Sequence, residues 1–232
     1  MDRCVEPEWL DTLPATDPGA IHSRQDLRRL NACMGHSRMV AGQLQKAFPG
    51  KPPRHILDLG GGDGTFLLNV CQSIGCRWQG IEAVIVDRDD LVEPETRLGF
   101  KAAGWKVEVA AHDAIDYLRR RTATFCDVMI ANLVVHHFPE KDLRGLFRLV
   151  QTATTMFLAV EPRRSALALA FSRLVWVIGG NAVTRHDAPA SVLAGFRGSE
   201  LSQLWPTDEG WSLEERAAGV FSHLFVARRI MG

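Results

Sequence analysis

Short apolar runs alternate along the chain with longer stretches in which apolar residues recur at helical spacing. The run HILDL (55–59) lies between prolines and glycines and predicts a buried strand. The following segment, GTFLLNVCQSI (64–74), carries its apolar residues at helical spacing. The alternation continues, with strands predicted at 81–87, at 105–111, within 126–135 and at 155–161, and helices at 94–104, 113–121 and 140–153. This pattern is typical of a parallel sheet with helices on both faces.

The end of the chain departs from this alternation. WSLEERAAGVFSHLFVARRI (211–230) divides into two extended segments around Gly219. Strands this close in sequence cannot be joined by a helical crossover, so they are expected to pair antiparallel. The predicted fold class is therefore α/β, with a mostly parallel sheet of seven strands that ends in an antiparallel hairpin.

Two helical segments are predicted before the sheet. They are SRQDLRRLNACMG (23–35) and HSRMVAGQLQKAF (36–48), and the linker FPGKPPRH (48–55) leads from them into the first strand. We therefore expect an N-terminal helical segment over residues 1–50, which forms a lid, and a main domain over residues 51–232.

The composition excludes some classes of partner. Of the 232 residues, 46% are hydrophobic and 23% charged, as in an ordinary globular protein. Lys and Arg number 27 and Asp and Glu number 27, which gives a formal net charge of zero. Nucleic-acid-binding surfaces normally show a basic excess, so nucleic acid is not an expected partner.

The cysteines and the apolar stretches predict a location in the cytoplasm. The five cysteines fit no zinc-binding spacing and are predicted to be small buried thiols in a reducing compartment. The N-terminus does not have the charge and apolar pattern of a signal peptide. The most apolar stretch, ALALAFSRLVWVIGG (166–180), is too short for a membrane span and contains Arg173. It is predicted to be a buried helix, and no stable membrane insertion is expected.

The turn after the first strand, DLGGGDG (58–64), points to a ligand that approaches the backbone closely. Glycine permits a tight turn without a Cβ atom, and the helix that follows presents free N–H groups. The turn contains no Lys, which argues against a phosphate-binding P-loop. In the nicotinamide fingerprint GxGxxG, Thr65 would replace the third glycine. Asp58 before the turn would repel a pyrophosphate and suits a ligand with a cationic amino group.

Two further acids follow the second and third strands. Asp87 ends the second strand, where a carboxylate can accept both hydroxyls of a ribose. Asp113 is placed either to accept a hydrogen bond from an adenine amino group or to cap the next helix. Asp58 likewise either contacts the ligand or anchors the turn by hydrogen bonds.

The segments ILDLGGGDGTF, AVIVD, HDA and CDVMIANLVVHHFPE, taken in this order, resemble the class I S-adenosylmethionine-dependent methyltransferases of the small-molecule type. The resemblance extends over about residues 50 to 230 and implies a Rossmann-like fold. It implies S-adenosyl-L-methionine as the cofactor and S-adenosyl-L-homocysteine as the product. The predicted cofactor-binding residues are Asp58, Gly60, Gly61, Gly62, Asp87, Arg88, Asp113, Ala114, Asn132 and, in the N-terminal segment, Arg38.

Three histidines are candidates for the catalytic base. Methyl transfer from a sulfonium is an in-line displacement that needs alignment and, for a hydroxyl acceptor, a general base. His136 and His137 follow the fourth strand, at the rim where the methyl group should point. Alternatively, this pair packs against the cofactor or caps the next helix. His186 adjoins Asp187 in a predicted loop between strands five and six, and Glu161 is expected to orient an arginine.

Other features argue against a metal-dependent mechanism and against some classes of substrate. Asn132 lacks the partner acid that a metal-dependent catechol-type site would need, so no metal site is expected. The stretch ANLV after the fourth strand lacks the proline found in many methyltransferases that act on amino groups of DNA or protein. Four aromatic residues outside the strands either line an apolar acceptor pocket or belong to the core: Trp9, Trp176, Phe196 and Trp205.

The sequence thus predicts a methyltransferase that acts on a small, rather apolar molecule at oxygen, in bacterial secondary metabolism. N- or C-methylation is the alternative within the same class. A nicotinamide- or flavin-binding oxidoreductase and a catalytically silent cofactor-binding partner are alternatives from other classes. A homodimer is compatible with these features but not required by them.

Overall fold

A computed structural model describes residues 1–75, 77–121, 125–207 and 209–230. Within these residues, seven strands form one sheet in the order β3-β2-β1-β4-β5-β7-β6. The strands are β1 (His55–Leu59), β2 (Glu82–Asp87), β3 (Lys106–Ala111), β4 (Cys126–Asn132), β5 (Thr154–Pro162), β6 (Trp211–Ala218) and β7 (Ser222–Arg229).

The pairing of the strands confirms the predicted mixed sheet. Strands β1 to β5 pair in parallel, and β7 lies between β5 and β6, antiparallel to both. The chain order of the strands reverses between β1 and β4. In open α/β sheets, the crevice at the carboxyl ends of such strands is where ligands bind.

The helices cover both faces of the sheet and its carboxyl edge. Those between the strands are α4 (Thr65–Ile74), α5 (Pro94–Ala102), α6 (Ala114–Arg119), a 3-10 turn (Val135–His137) and α7 (Glu140–Ala153). The N-terminal ones are α1 (Trp9–Thr12), α2 (Pro18–Met34) and α3 (His36–Ala47). Between β5 and β6 lie α8 (Ala166–Ser172), a second 3-10 turn (Val175–Ile178), α9 (Ala182–Ala194) and α10 (Glu200–Leu204).

Helix α2 begins earlier than the periodicity of the sequence predicted. Asp17 caps it by accepting hydrogen bonds from the N–H groups of Gly19 and Ala20, and Pro18 occupies its first turn. Helix α2 packs against α9, and α3 packs against α4. The division into a lid and a main domain at residue 50 stays a prediction.

The prediction of one buried helix over residues 166–180 was wrong. The segment consists of α8 and a separate 3-10 turn, and Leu167, Phe171 and Trp176 are half exposed. The apolar residues of this segment line a cavity at the sheet edge or face outward, which explains why an apolar sequence is not buried in the core.

The core consists of two apolar layers, one on each face of the sheet. One layer packs α3, α4 and α5 on the sheet through residues such as Leu44, Leu67 and Phe100. The other places Phe147 of α7 against Phe157 of β5, with Trp205 and Phe225 beside them.

The cysteines only partly follow the prediction. Cys71 and Cys126 are buried, whereas Cys4 and Cys33 are exposed, so the prediction of a buried thiol was wrong for those two. Cys76 lies outside the described residues. No helix in the described part of the chain is long and apolar enough to cross a membrane.

Candidate active site

Two cavities adjoin at the carboxyl ends of β1, β2 and β4. The larger has a volume of about 1220 Å³ and the smaller about 150 Å³. Gly60, Gly62 and Leu133 line both, so the cavities meet at the glycine turn. Leu133 has a φ of 58°, a strained conformation for a leucine, and β4 ends directly before it, at Asn132, within the predicted range.

The glycines of the turn serve different purposes. Gly60 has a φ of 64°, and a Cβ atom on it would lie 2.4 Å from a methyl group of Val134. A Cβ atom on Gly61 would lie 2.7 Å from Oδ2 of Asp58. By contrast, Gly62 has a φ of 54° and no atom within 4 Å of its Cβ position. Gly60 and Gly61 therefore satisfy packing within the protein, whereas Gly62 leaves space that a ligand can fill.

The carboxyl group of Asp58 lacks a hydrogen-bond partner in the part of the chain that the structure describes. Its carboxyl group is buried beneath the turn and lines the smaller cavity, and neither of its oxygens has a hydrogen-bond partner among the described residues. Burial, together with the nearby charge of Asp87, raises the pKa of Asp58 to about 8. The hydrogen bonds that would anchor the turn are not observed. A buried carboxylate without a partner favours a cationic ligand.

Asp87 faces the larger cavity from the end of β2. Its Oδ2 accepts a hydrogen bond of 2.9 Å from the N–H of Gly62, and burial raises its pKa. The neighbouring Arg88 also lines this cavity and forms an ion pair of 3.5 Å with Asp11 of α1.

Asp113 caps helix α6 and lies at the same edge. Its Oδ1 accepts hydrogen bonds from the N–H groups of Ile115 and Asp116, which confirms one of its two predicted roles. Asp113 and Ala114 line the larger cavity, so contact with an adenine stays a prediction for them.

The structure brings Asn132 to the smaller cavity but not Arg38. Asn132 accepts a hydrogen bond from Nδ1 of His36 through its Oδ1 and donates one from its Nδ2 to Oδ1 of Asn31, and thereby ties α3 and α2 to the end of β4. Arg38 is exposed and lines neither cavity, because the side of α3 that packs on the sheet is its apolar one. Arg24 and Arg28 of α2 line the smaller cavity instead.

His136 is buried between two carboxylates. Its Nδ1 lies 2.7 Å from Oε2 of Glu161, and its Nε2 lies 3.4 Å from Oε1 of Glu8. Burial alone would lower the pKa of His136, but the hydrogen bond to Glu161 and the charges of Glu161 and Glu8 raise it to about 9. At neutral pH the imidazole ring of His136 is therefore in its positively charged form when no other cation is bound.

Glu161, at the end of β5, organises the turn after β4. Its two oxygens accept hydrogen bonds from the backbone N–H groups of Val134, Val135 and His136. The expectation that Glu161 orients an arginine was therefore wrong. It fixes the backbone and the ring of His136 together.

His137 packs against His136 with the two rings tilted, and it points toward the N-terminal segment. The ring centroids of the two histidines are 4.1 Å apart, and Nδ1 of His137 lies 3.1 Å from Oδ2 of Asp11. Asp11 therefore connects His137 with Arg88 across the larger cavity, which all three line.

The structure does not bring His186 to either cavity. His186 belongs to α9 and not to a loop, because Asn181 caps that helix through Thr184. Its ring stacks on Trp9, with the ring centroids 3.9 Å apart. The adjoining Asp187 is buried and accepts hydrogen bonds from the backbone N–H groups of Trp9 and Leu10. This region fixes the N-terminal segment rather than facing the site.

The larger cavity is mostly apolar, but its lining differs from the predicted one. Phe196 and Trp205 belong to the core, and Trp9 and Trp176 are half exposed and do not line the cavity. Its apolar lining includes Leu27, Leu30, Leu91, Phe138, Phe171, Leu174, Val192 and Phe221.

Glu8 and Asp11 are candidate site residues that the sequence did not reveal, and both line the larger cavity. Glu8 is buried, and its carboxylate accepts a hydrogen bond from Ser191 and faces His136. The ligand atoms of Glu8, His136 and His137 all lie within 4.8 Å of one another. The short acidic segment around Glu8 carries no motif, and its partners lie more than a hundred residues away.

Comparison with known proteins places the fold. No family model and no curated protein matches the chain. The plantazolicin methyltransferase BpumL in complex with SAH is similar in structure, with a TM-score of 0.62 and 14% sequence identity over 93% of this chain and 92% of that one. The mitomycin 7-O-methyltransferase MmcR gives a TM-score of 0.59 and 16% identity, over 95% of this chain and 60% of that one.

An O-methyltransferase family protein from Burkholderia thailandensis is also similar, with a TM-score of 0.56 and 18% identity, over 94% of this chain and 64% of that one. At these identities the likeness concerns the fold. The chain has the fold of the class I methyltransferases, as the sequence predicted.

Proposed function

We propose that the chain is an S-adenosyl-L-methionine-dependent methyltransferase that acts on a small, largely apolar acceptor. The observation that carries this proposal is the pairing of the cavities at the glycine turn. The smaller one contains the buried carboxyl of Asp58, which lacks a partner, and the larger one has a mostly apolar lining.

The residues around the turn fit this cofactor. The carboxylate of Asp58 suits the amino group of the methionine part, and Gly62 leaves room for the cofactor beside the backbone. Asp87 suits the ribose hydroxyls, and Asp113 and Ala114 are placed at the adenine end. When bound, the cofactor supplies a methyl group on a positively charged sulfur.

The larger cavity is assigned to the acceptor. Its apolar walls and the N-terminal segment above them exclude water and align the acceptor. His136 and His137 line it and His186 does not, so we assign acceptor activation to this pair rather than to His186. Polar groups that converge at one point of an apolar cavity favour transfer to an oxygen atom of the acceptor.

The context of the reaction is a further part of this proposal. The similar proteins named above include one for plantazolicin and one for mitomycin, and the latter is by name an O-methyltransferase. We place the reaction in bacterial secondary metabolism on this similarity. The acceptor cavity of about 1220 Å³ is large enough for a molecule of that kind.

Calorimetric titration with S-adenosylhomocysteine, with NAD as the comparison, tests the cofactor. We expect micromolar binding of the former and no binding of the latter, and Asp58→Asn should remove most of the affinity. Binding of NAD alone would reject the proposal in favour of an oxidoreductase. Once the cofactor is established, an acceptor screen with a labelled methyl donor identifies the atom that is methylated.

A further inference from the structure

The cluster formed by Glu8, His136 and His137 has the composition of a metal site. Two imidazoles and one carboxylate, with ligand atoms all within 4.8 Å of one another, are a ligand set that catalytic zinc ions use. The three residues line the larger cavity, so a fourth position is open to an acceptor or to water. Sequence spacing gave no sign of this set, because Glu8 lies far from the histidines in the chain.

The distance between Glu8 and His136 supports a shared ion. Nε2 of His136 lies 3.4 Å from Oε1 of Glu8, and this nitrogen, although buried, has no hydrogen-bond partner among the described residues. Two ligands that each lie about 2.1 Å from one tetrahedral zinc ion are separated by about 3.4 Å. The 3.4 Å between Nε2 of His136 and Oε1 of Glu8 is too long for a good hydrogen bond but matches the separation of two ligands of a single ion.

The surroundings of the histidines provide the second requirement of a metal site. A histidine that binds a metal normally donates its other N–H to a carboxylate, which fixes the ring. Nδ1 of His136 lies 2.7 Å from Glu161, whose remaining bonds hold the backbone of the same turn. The ring of His137 is held in turn by Asp11, at 3.1 Å from its Nδ1.

We propose that Glu8, His136 and His137 bind a divalent transition-metal ion, zinc by preference, at the floor of the acceptor cavity. The ion would offset the charges of the surrounding carboxylates, Glu8, Glu161 and Asp11. The ion site itself does not depend on the assigned reaction.

The catalytic use of the ion rests on the proposed function. An acceptor hydroxyl would occupy the open position, where the ion lowers its pKa, and its proton would pass to solvent water. The resulting oxygen anion would attack the methyl group. The O–C bond forms as the C–S bond breaks, and the electron pair of that bond stays on the sulfur, which becomes neutral. Neither histidine then acts as a base.

Metal binding is measured directly on the purified, chelator-treated full-length protein. Titration with Zn²⁺ followed by calorimetry, and with Co²⁺ followed by its visible spectrum, should show one ion per chain with nitrogen and oxygen ligands. His136→Ala, His137→Ala and Glu8→Gln should each weaken binding at least about tenfold.

Two control variants separate this site from other metal ligands. His55→Ala removes a histidine that also lies between two carboxylates, Glu82 and Asp127, but at the opposite end of β1. It should bind zinc as the unaltered protein does. The double variant Cys4→Ser, Cys33→Ser removes the exposed thiols and should also retain the ion.

The outcomes distinguish the alternatives. Absence of bound metal, retention of it by all three ligand variants, or its loss in the cysteine variant would each overturn the proposal. Binding of S-adenosylhomocysteine by each variant shows that the protein is folded and tests the proposed function separately. The cobalt spectrum of the unaltered protein needs no variant and gives an answer even where a substitution prevents folding.

Discussion

The two halves of the proposed site, one for the cofactor and one for the acceptor, are built from different parts of the chain. The cofactor half consists of the carboxyl ends of β1, β2 and β3 and the turns after them, so each of its acids lies in a strand or close after one. The acceptor half depends on contacts between the ends of the molecule, such as Glu8 with His136 and Asp11 with Arg88.

The two halves also differ in how their charges are satisfied. Asp58 in the cofactor half has no partner among the described residues, whereas the carboxylates of the acceptor half are held by histidines, arginines and backbone N–H groups. A buried carboxyl group without a partner marks a place where a ligand completes the protein. Carboxylates that are already held by side chains and backbone mark a surface that is organised before its ligand arrives.

Replacement of Gly60 should disrupt the cofactor half most strongly. In Gly60→Ala the new methyl group would overlap Val134, and alanine would adopt a φ of 64° unfavourably. We expect the free energy of unfolding to fall by about 2–5 kcal/mol, measured by thermal unfolding. Binding of S-adenosylhomocysteine, measured by calorimetry, should also be lost. Gly50→Ala, where no atom lies within 4 Å of the Cβ position, is the control. Equal effects of the two substitutions would contradict the role of Gly60.

Asp58→Asn should weaken cofactor binding and increase the stability of the folded protein. The folded protein keeps the proton of Asp58 up to a pKa of about 8, whereas the unfolded chain loses it near 3.8. Between pH 3.8 and pH 8 the folded state binds more protons than the unfolded chain, so a rise in pH destabilises the folded state. The contribution of Asp58 to the free energy of unfolding is therefore fully present below pH 3.8 and is lost as the pH rises toward 8. At pH 8 and above, the variant should gain about 2 kcal/mol or more relative to the unaltered protein.

Chemical denaturation of both proteins across this pH range measures the difference. The variant should also bind S-adenosylhomocysteine much more weakly, since the amino group loses its carboxylate. A constant difference in stability from pH 4 to pH 9 would show that Asp58 is ionised in the folded protein.

Asp87→Ala should weaken binding of S-adenosylhomocysteine by more than about tenfold, because charged hydrogen bonds to the ribose would be lost. Calorimetry measures the affinity. Asp116→Ala, in the first turn of α6, removes an exposed acid that lines neither cavity and should bind normally. Unchanged affinity in Asp87→Ala would remove this residue from the site.

Asp11→Asn should affect the acceptor half alone, and by a smaller amount. It weakens the partly exposed ion pairs with Arg88 and His137, which together should contribute about 1 kcal/mol. Hydrogen exchange of residues 8–13 should become about fivefold faster, while the exchange of β1 and β4 and the affinity for S-adenosylhomocysteine stay the same. Faster exchange throughout the sheet would instead indicate a general loss of stability.

The contrast between the halves explains what the sequence could predict. The strands, the hairpin, the glycine turn and the position of Asp113 as a helix cap follow from local patterns, and the structure confirms them. The cofactor acids are local too, since Asp58 and Asp87 lie at the carboxyl ends of β1 and β2, and Asp113 comes shortly after β3. The roles assigned to them still await a binding measurement.

What could not be predicted depends on contacts between distant residues. Nothing near Glu8 in the sequence indicates that its carboxylate meets His136, and nothing near His186 indicates that its ring stacks on Trp9. Arg38 faces solvent because of the way in which α3 packs on α4. The apolar stretch at 166–180 is divided because its side chains line a cavity, a property that hydrophobicity alone does not reveal.

The N-terminal segment over the acceptor cavity can reach its position only after a much later part of the chain has been synthesised. Arg3 donates hydrogen bonds to carbonyl groups of His136, Phe138 and Ala194, and the N–H of Cys4 donates to Leu193. On the ribosome Arg3 and Cys4 emerge long before residues 187–194, which complete their binding surface. A nascent chain therefore passes through a stage in which strands β1 to β5 have emerged but the acceptor cavity is still uncovered.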